Sequence, residues 1–391
     1  MNPSVRIVLF LAAIPFIYYS IALFSCWRFF RTAARRPQHN RRFAPALSIL
    51  KPVRGLDPET YENFASHCRQ DYPEYELIFC TGSPGDPAVP VIQQLMADFP
   101  ERSIRLIFSD GNNAVNDKVA KLRRLMEEAR YEVLVMNDAD VRVEPNYLRT
   151  VVAPLENENV GAVTCLYVST AESNLAEHLQ TVGMVSDFYP GIFVAWQLDG
   201  VKFALGPTVV TTRTRIRNFG GFESLENRPA DDLLVGRLVA EQGYEVVLLS
   251  YAIQAVPDFD SLRALWNKRV RWMTVMRHMR PWGHLGLIFT FGLPWALVAI
   301  ALAPTAAVIA AYLGVYTAFR FAITYIVGVR GLKQPGTWKD MALIPVWDAV
   351  GFAVWFASFF RRSVLWRGVQ YHIRDGKLVL APSSASARRP V

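Results

Sequence analysis

Long apolar stretches near both ends of the chain predict membrane helices. No charged residue occurs from Ile7 to Trp27, which is close to the length of about 20 residues that spans a bilayer. Aromatic and basic residues follow, not the small residues of a cleavage site, so we predict an uncleaved anchor at 1–30; a buried core helix is the alternative. Many arginines follow the stretch and only Arg6 precedes it, so the positive-inside rule predicts that the next segment is cytosolic.

A second apolar block runs from Leu285 to Val329 and contains one charged residue, Arg320. The block is long enough for two crossings. A third segment, Met341–Phe360, carries Asp348. Because an unpaired charge is costly inside a bilayer, we expect Arg320 to pair with Asp348 or to reach an interface. Three crossings would put the basic tail outside, whereas two crossings and a re-entrant or interfacial segment would keep it inside; both alternatives stay open.

Between these stretches, residues 46 to about 255 alternate short apolar runs with segments of helical spacing. Such alternation predicts an α/β domain, with a mainly parallel sheet and helices on both faces. Ligands of these sheets bind beyond the carboxyl ends of the strands. The predicted strands are Leu47–Leu50, Glu76–Cys80, Ile104–Phe108, Val133–Met136 and Ala162–Leu166, and the predicted helices are Thr60–Gln70, Val89–Phe99 and Lys118–Arg130.

The composition favours a membrane protein over an ordinary soluble one. Hydrophobic residues make up 52% of the chain and charged residues 19%, against about 25% charged in soluble domains. The four cysteines have neither metal-ligand spacing nor the density of a disulfide framework.

The predicted parts are an N-terminal transmembrane anchor at 1–30, a cytosolic catalytic domain at 31–255, an interfacial segment at 256–283, membrane segments at 284–362 and a basic cytosolic tail at 363–391. Within this tail, 381–391 has the composition of a disordered segment.

Acidic residues mark two loops of the predicted domain. Asp138 and Asp140 follow the strand that ends at Met136, and two carboxylates at a strand end suit a hard divalent cation that also binds phosphate. A solvated turn is the alternative. Asp231 and Asp232 open a helical pattern, where one is expected to cap the helix and the other to act as a general base.

A basic and aromatic motif, Lys268–Trp272, lies just before the second apolar block. Guanidinium groups clamp pyrophosphate, and a tryptophan offers a stacking face for a sugar. Attraction to anionic lipid headgroups is the alternative explanation for the basic residues.

Taken in order, these motifs resemble those of the membrane-bound family 2 and family 21 glycosyltransferases, and specifically the ceramide glucosyltransferases. Ser48–Gly55 is similar to the first strand of that family and its LKPxxG loop. Asp86, Asp138 and Asp232 match its three essential aspartates, and Lys268–Trp272 matches its (Q/R)xxRW motif. The resemblance covers nearly the whole chain. It implies a GT-A nucleotide-sugar fold, which is Rossmann-like, a UDP-sugar donor and a membrane lipid acceptor, with no nucleic acid.

The resemblance also implies roles for individual residues. Asp86 would accept the uracil imide hydrogen, and Asp138 with Asp140 would hold Mg²⁺ or Mn²⁺ at the diphosphate. Asp232 would take the proton of the lipid hydroxyl, so that one displacement inverts the donor linkage to a β-glycoside. Further expected contacts are Lys51, Lys118 and Arg271 with the donor, and Trp272 and Asp187 with the acceptor. For Lys51 and Lys118 a solvated position is the alternative, and for Asp187 a capping or surface role.

Two departures from the family pattern bear on these roles. Lys268 stands where the family has Gln or Arg, and Asp140 completes an Asp-x-Asp triplet that some ceramide enzymes lack, which favours metal dependence. The bacterial hopanoid glycosyltransferases share these motifs and are the alternative, with UDP-N-acetylglucosamine as donor and a hopanoid as acceptor. We expect an integral, multi-pass protein of the bacterial inner membrane.

Two other functions remain to be separated from lipid glycosylation. A processive polysaccharide synthase shares the motifs, but the predicted membrane segments are few for a translocation channel. A small transporter with a cytosolic domain would explain the intramembrane charges Arg320 and Asp348. The ordered aspartates on cytosolic loops favour the enzyme.

Overall fold

The structure, a computed structural model, describes residues 3–34, 43–109, 115–169, 173–256, 261–366, 369–374 and 376–380. Their contacts divide the chain into two units. The helical unit comprises the described residues of Met1–Arg35, Glu172–Gly200 and Phe259–Asp375, and the sheet unit comprises those of Arg36–Ala171, Val201–Asp258 and Gly376–Val391. The sequence pattern did not predict that Glu172–Gly200, inside the interval 31–255, would group with the helical unit. The predicted disordered stretch 381–391 lies outside the described residues.

The five predicted strands are confirmed, and the described residues form six further strands, one of which, β5, lies between the fourth and fifth predicted strands. Short apolar runs rich in Val, Ile and Leu form the inner strands, as expected for a sheet that is buried on both faces. In chain order the strands are β1 Leu47–Pro52, β2 Tyr75–Thr81, β3 Ser103–Phe108, β4 Val133–Asn137, β5 Val141–Arg142, β6 Val160–Ser169, β7 Thr208–Thr212, β8 Glu245–Ala255, β9 Ser363–Trp366, β10 Val369–Arg374 and β11 Lys377–Leu380.

Among the described residues, eight strands form one sheet in the order β3-β2-β1-β4-β7-β6-β8-β5. The pairs β1–β2, β2–β3, β1–β4 and β6–β8 are parallel. The short strand β7 runs antiparallel to both of its neighbours, and β5 runs antiparallel to β8. The sheet is therefore mixed. Because β4 and β7 run in opposite directions, the carboxyl end of β4 lies beside the amino end of β7.

The three helices predicted between the first strands are also confirmed, and their ends differ from the predicted ends by at most two residues. In chain order the helices are α1 Pro3–Ala12, α2 Ile14–Ala34, α3 Thr60–Cys68, α4 Ala88–Asp98, α5 Asp117–Glu128, α6 Tyr147–Val152, α7 Leu175–Gly183, α8 Tyr189–Asp199, α9 Arg213–Asn218, α10 Asp231–Glu241, α11 Leu262–Met279, α12 Pro281–Gly286, α13 Gly292–Leu302, α14 Ala306–Thr324, α15 Thr337–Asp340 and α16 Ile344–Ser358.

Helices cover both faces of the sheet, because successive side chains of a strand point to opposite sides. Ile49 of β1 is fully buried in a cluster with Phe64 of α3. Its neighbour Leu50 is fully buried in a second cluster with Leu122 of α5 and Val235 of α10. The second cluster fixes α5 and α10 on the same face, and both helices begin near the carboxyl end of β4.

Within the described ranges of the helical unit, three helical stretches are long and apolar enough to cross a membrane. They are Pro3–Ala33, Ala306–Gly331 and Thr337–Ser358, judged by length and composition. The pair Pro281–Thr290 and Gly292–Leu302, bent by 52°, would add a fourth span if it is counted as one. The predicted N-terminal anchor is confirmed as a candidate span. The choice between the predicted crossing numbers now depends on the bent pair.

The two charged residues of the candidate spans, Arg320 and Asp348, pair with each other, as the sequence predicts. Arg320 of α14 donates from Nε to Asp348 Oδ2 of α16 at 2.9 Å and from Nη2 to Oδ1. Tyr316 donates its hydroxyl to Asp348 Oδ2 at 2.7 Å. Arg320 also donates to the carbonyl and hydroxyl oxygens of Ser186, which lies in the π-helical turn Met184–Phe188. This network joins two candidate spans and the turn.

Candidate active site

Three of the predicted site residues of the sheet unit, Lys118, Asp138 and Asp232, line one cleft where β4 ends. Asp138 follows β4 directly and is half-buried. Its neighbour Asn137 is almost fully buried and donates to Tyr147 Oη at 2.8 Å, to the Pro207 carbonyl at 2.9 Å and to Thr208 Oγ1 at 2.9 Å. Asn137 therefore fastens the loop before β7 to the end of β4, beside the carboxylate of Asp138.

Gly206 in that loop lies close to two carboxylates. A Cβ atom at Gly206 would lie 2.9 Å from Asp232 Oδ2 and 3.3 Å from Asp138 Oδ2. Both oxygens thus face the same small volume, which only a residue without a side chain leaves free. The strand-end aspartate and the helix-start aspartate, about 95 positions apart in the sequence, are brought to one cleft.

Lys118 in the first turn of α5 connects the two acidic loops. Its ammonium group lies 2.8 Å from Asp138 Oδ1 and 3.0 Å from Asp231 Oδ2. Asn116 fixes the start of this helix: its side-chain oxygen accepts from the Val119 amide, and its side-chain nitrogen donates to the Arg228 carbonyl at 3.0 Å. Because Arg228 shortly precedes α10, the same residue anchors both helix starts. The solvated alternative for Lys118 is wrong.

The start of α10 differs from the prediction. The cap position belongs to Ala230, which has no polar side-chain group, so the expectation that one of the two aspartates is the cap residue is wrong. Ala230 has φ 57°, in the left-handed region that a residue with a side chain rarely adopts. Asp231 is buried and pairs with Lys118, while Asp232 is half-buried beside Gly206. The two aspartates therefore have different environments.

The charges of this cluster shift the pKa of Asp232 and that of Lys118. Burial and the neighbouring Asp231 raise the pKa of Asp232 to about 6, against the opposing attraction of Lys118. Burial alone would lower the pKa of Lys118, but Asp138, Asp231 and Asp232 together raise it well above its ordinary value. Lys118 therefore stays charged, and the carboxylates carry more negative charge than the single ammonium group neutralises.

Lys51 lies beneath the Asp138 loop and is fully buried. Its ammonium group donates to the Asp138 carbonyl at 2.9 Å and lies 5.9 Å from the centre of the Phe64 ring. Burial lowers the pKa of Lys51 to about 7, although Asp140 and Asp138 act in the opposite direction. The solvated alternative is wrong for this lysine also, and its contact is to the backbone of the loop.

Asp86 joins the loops that follow β1 and β2. Its two carboxylate oxygens lie 3.0 and 3.1 Å from the Gly55 amide nitrogen, which donates to them, and Oδ1 also accepts from the Ala88 amide at 2.9 Å. Gly55 has φ 69°, a conformation that favours glycine. Asp86 therefore holds the LKPxxG loop in place, and Oδ2 keeps a lone pair for a further donor.

A divalent cation fits the donor set at Asp138 and Asp140, which is entirely oxygen. Within the described ranges, no group of three His, Cys, Asp or Glu side chains is arranged to hold a metal ion. Two carboxylates are nevertheless the usual protein share of a site that a diphosphate completes. The ammonium group of Lys118 already lies at Asp138 as a cation, which shows that positive charge is stable there.

The other predicted contacts, Asp187, Arg271 and Trp272, belong to the helical unit. Trp272 packs against Phe188 with ring centres 6.1 Å apart, and the guanidinium of Arg269 lies 5.2 Å from the Trp272 ring. Arg269 is buried and donates to Gln180 Oε1 at 2.9 Å. The middle of the basic motif therefore has a packing role that its charge alone did not predict.

Sequence reasoning missed three residues of the cleft. Asp231 was predicted only as one of two aspartates that open a helix, without its pairing to Lys118, and neither Asn137 nor Gly206 was selected. Asn137 lay next to the Asp-x-Asp triplet, so its position was a usable signal. The contact of Gly206 with two distant aspartates depends on the antiparallel strand β7, which no local pattern revealed.

Comparison with known proteins agrees with this geometry. A family model described as Glycosyl transferase family 21 matches residues 7–379. Ceramide glucosyltransferase 3 of Caenorhabditis elegans is 23% identical over 86% of this chain and 75% of its own length. The ceramide glucosyltransferase of Candida albicans is 30% identical over 28% of this chain and 22% of its own length.

A solved structure shows the same fold. The mannosyltransferase PcManGT of Pyrobaculum calidifontis, in complex with GDP-Man and Mn²⁺, superposes with a TM-score of 0.58 at 18% identity, covering 87% of this chain and 99% of its own. The α/β sheet with candidate membrane helices is thus the GT-A architecture that the sequence predicts. The chain belongs to glycosyl transferase family 21 and is a glycosyltransferase.

Proposed function

We propose that this glycosyltransferase moves glucose or a related sugar from a UDP-sugar to the hydroxyl of a membrane lipid, most closely ceramide, and forms a β-glycolipid. The observation that carries this proposal is the shared cleft of Asp138 and Asp232 around Gly206. A donor-side carboxylate and a base candidate lie within one small volume, as a single displacement requires. The similarity to ceramide glucosyltransferases favours the lipid class.

Asp232 acts as the general base. Lys118 pairs with the buried Asp231. Asp232 is half-buried, and burial together with the neighbouring charge of Asp231 raises its pKa to about 6, although Lys118 acts in the opposite direction. A base with a pKa near the working pH accepts a proton effectively. As the lipid oxygen attacks the anomeric carbon, Asp232 takes its proton and the bond to UDP breaks. Attack on the far face inverts an α-linked donor to a β-glycoside.

The donor side uses the loops after β1, β2 and β4. Asp86 holds the Gly55 loop and accepts the uracil imide hydrogen with its remaining lone pair. Asp138 and Asp140 would hold Mg²⁺ or Mn²⁺, which would neutralise the charge of the diphosphate and make UDP a better leaving group. Lys118 adds positive charge at the phosphates, and Lys51 supports the Asp138 backbone from below.

Three residues of the helical unit have proposed roles that follow from the family motifs. Arg271 binds the diphosphate, and Trp272, whose ring packs against that of Phe188 at a tilt of 37°, contacts the lipid acceptor. Asp187 lies in the same π-helical turn as Ser186, a type of turn that is frequent at functional sites. We assign it to a polar group of the lipid head.

We also infer the membrane arrangement from the candidate spans. The basic residues that follow the first span support a cytosolic sheet unit in a multi-pass protein of the bacterial inner membrane. A lipid whose chains stay in the bilayer then presents its hydroxyl at the cytosolic surface. Protease accessibility of the sheet unit in inverted membrane vesicles, compared with intact cells, tests this orientation.

The deciding experiment offers the purified full chain two acceptors and three donors. Ceramide and a hydroxylated hopanoid are each incubated with UDP-glucose, UDP-glucuronate or UDP-N-acetylglucosamine, and the lipids are analysed by mass. We expect a glucosylated ceramide with β linkage. If only the hopanoid gives a product, the assigned acceptor changes from ceramide to a hopanoid, and the roles of the aspartates are unaffected. A polymer would indicate a polysaccharide synthase. No product with any pair would contradict the proposal.

The metal assignment has its own test. EDTA should abolish transfer, and Mn²⁺ or Mg²⁺ should restore it. Asp138→Ala and Asp140→Ala should each lose activity that added metal does not restore. Full activity of Asp140→Ala in the presence of chelator would exclude the metal role of the triplet.

A further inference from the structure

We propose that Lys118 is an exchangeable counter-ion that links donor binding to the base helix: it holds Asp138 and Asp231 together and gives up Asp138 when a metal–diphosphate binds. This inference rests on the proposed function and extends it. The proposed function requires only that Lys118 lie near a phosphate of the donor. The present inference adds that Lys118 exchanges the carboxylate of Asp138 for the diphosphate.

The first argument is competition for one atom. Lys118 Nζ lies 2.8 Å from Asp138 Oδ1, and side chains of both residues retain partial exposure, at 22% and 33%. A divalent cation that binds the same oxygen cannot share it with an ammonium group at that distance, because two cations in contact repel strongly. Binding of a metal at Asp138 therefore requires Lys118 to leave that oxygen.

The second argument concerns where the lysine goes. Asp231 Oδ2, 3.0 Å from the ammonium group, is buried and stays paired through one half of the bridge. The ammonium group of Lys118 then needs a new anion in place of Asp138, and a diphosphate bound beside Asp138 supplies one. A metal without a diphosphate displaces Lys118 and offers nothing in exchange. Metal and nucleotide should therefore bind with strong positive coupling, which is reciprocal by thermodynamic linkage.

The neighbouring lysine of the same helix shows what a fixed lysine looks like. Lys121, one turn later, is 2% exposed and donates to the Val53 carbonyl at 2.8 Å and to Asp117 Oδ2 at 2.9 Å. It has a backbone partner that no ligand competes for. Lys118 has two carboxylate partners in the cleft, one of which is a predicted metal ligand. The two lysines therefore provide a matched pair of equal charge.

The experiment measures Mn²⁺ binding to the full chain in detergent, with and without UDP, by electron paramagnetic resonance. For Lys118→Gln we expect Mn²⁺ alone to bind at least about tenfold more tightly than to the wild type, since a competing charge is removed from contact distance. UDP should then strengthen Mn²⁺ binding less than it does in the wild type. Lys121→Gln loses the same charge and should change Mn²⁺ binding much less.

A second variant covers the case in which Lys118→Gln does not fold. Lys118→Arg keeps the charge and adds a bidentate grip on carboxylates, so Mn²⁺ alone should bind no more tightly than to the wild type. The inference is overturned if Mn²⁺ alone binds Lys118→Gln no more tightly than the wild type, or if Lys118→Arg binds it more tightly. It is likewise overturned if the wild type binds no Mn²⁺ even with UDP. Because these titrations contain neither sugar nor lipid, a wild type that exchanges metal but makes no glycolipid would contradict only the proposed function.

Discussion

Both units of the chain contain buried or partly buried charged residues, but these residues differ in how exposed they are and in how many partners they have. In the helical unit, the side chains of Arg320 and Asp348 are 5% and 8% exposed, and the arginine also contacts Ser186. In the sheet unit, the side chains of Lys118 and Asp138 are 22% and 33% exposed and open into a cleft. One set is a closed network and the other is an open cluster.

The difference reflects the separate roles of the closed Arg320–Asp348 network and the open cluster around Lys118. A closed pair inside an apolar bundle satisfies the charges that a span could not otherwise carry, and its loss leaves an isolated buried charge. The open cluster brings Asp138, Asp231 and Asp232 around one ammonium group, which is an arrangement that costs stability and attracts cations. Substitutions should therefore affect stability in one unit and catalysis in the other.

The largest effect is expected when the closed pair is broken. Asp348→Leu leaves Arg320 buried without its carboxylate, and removal of one partner of a buried pair typically costs about 3–5 kcal/mol of the free energy of unfolding. Unfolding in detergent, followed by circular dichroism, measures the loss.

The control for this prediction removes both charges. Arg320→Met combined with Asp348→Leu should recover most of the lost stability, because a well-packed apolar pair often replaces a buried ion pair at little cost. In contrast, Asp138→Asn should not lower the free energy of unfolding, since it relieves repulsion in the cleft. Equal losses from Asp348→Leu and Asp138→Asn would remove the distinction between the two units.

The next effect is on turnover. Asp232→Asn should reduce turnover by about 10² or more, equivalent to about 2.7 kcal/mol of transition-state stabilisation, because it removes the general base. Binding of UDP-sugar and the free energy of unfolding should persist. Asp231→Asn is the matched variant, one residue away at the same helix start, and its smaller loss should come through Lys118. If Asp231→Asn shows the larger loss, the two roles must be exchanged.

Local patterns predicted the parallel half of the sheet well. Apolar runs such as Val133–Met136 and the helical spacing of Lys118–Arg130 are encoded by neighbouring residues, so β4 and α5 appear within one or two residues of the predicted ends. The antiparallel strand β7 is short and pairs with residues about 45 and 75 positions away. Its place between β4 and β6 depends on long-range packing, which no local pattern reports.

The candidate site was predictable to a similar degree. Asp138 was selected from its position at a strand end. The helix start marked Asp231 and Asp232 together, and the family resemblance selected Asp232. The ion pair of Asp231 with Lys118 and the gap at Gly206 were missed, because both arise only when loops from distant segments meet. The family resemblance supplied Asp86, whose two backbone partners explain why a carboxylate is needed there even before any donor binds.

A smaller effect is expected in the buried hydrogen-bonded group of Asn137, Tyr147 and Thr208, which we call the clasp. Tyr147→Phe removes a buried hydroxyl that contacts Asn137 and Thr208, and we expect a loss of about 0.5–1.5 kcal/mol in the free energy of unfolding. Turnover should fall modestly, since Asn137 then holds the Pro207 loop less firmly. Tyr61→Phe is the control, because its hydroxyl bonds to Asp98 at an exposed position. Similar stability losses in both variants would show that the clasp contributes nothing beyond an ordinary surface hydrogen bond.

The smallest effect is expected for an ion pair that shares the helix of the proposed base but not the cleft. Arg237 Nε lies 2.7 Å from Glu241 Oε1 on α10, with side chains 48% and 52% exposed. Exposed pairs of this spacing contribute about 0.3–0.5 kcal/mol, because water and salt screen them. Arg237→Gln should therefore change the free energy of unfolding by no more than about 0.5 kcal/mol, less at high salt, and should leave turnover unchanged. A loss comparable with that of Asp348→Leu would mean that burial does not separate the two kinds of pair. A loss of turnover without a loss of stability would mean that the whole of α10, and not only its first turn, affects the activity of Asp232 as a base.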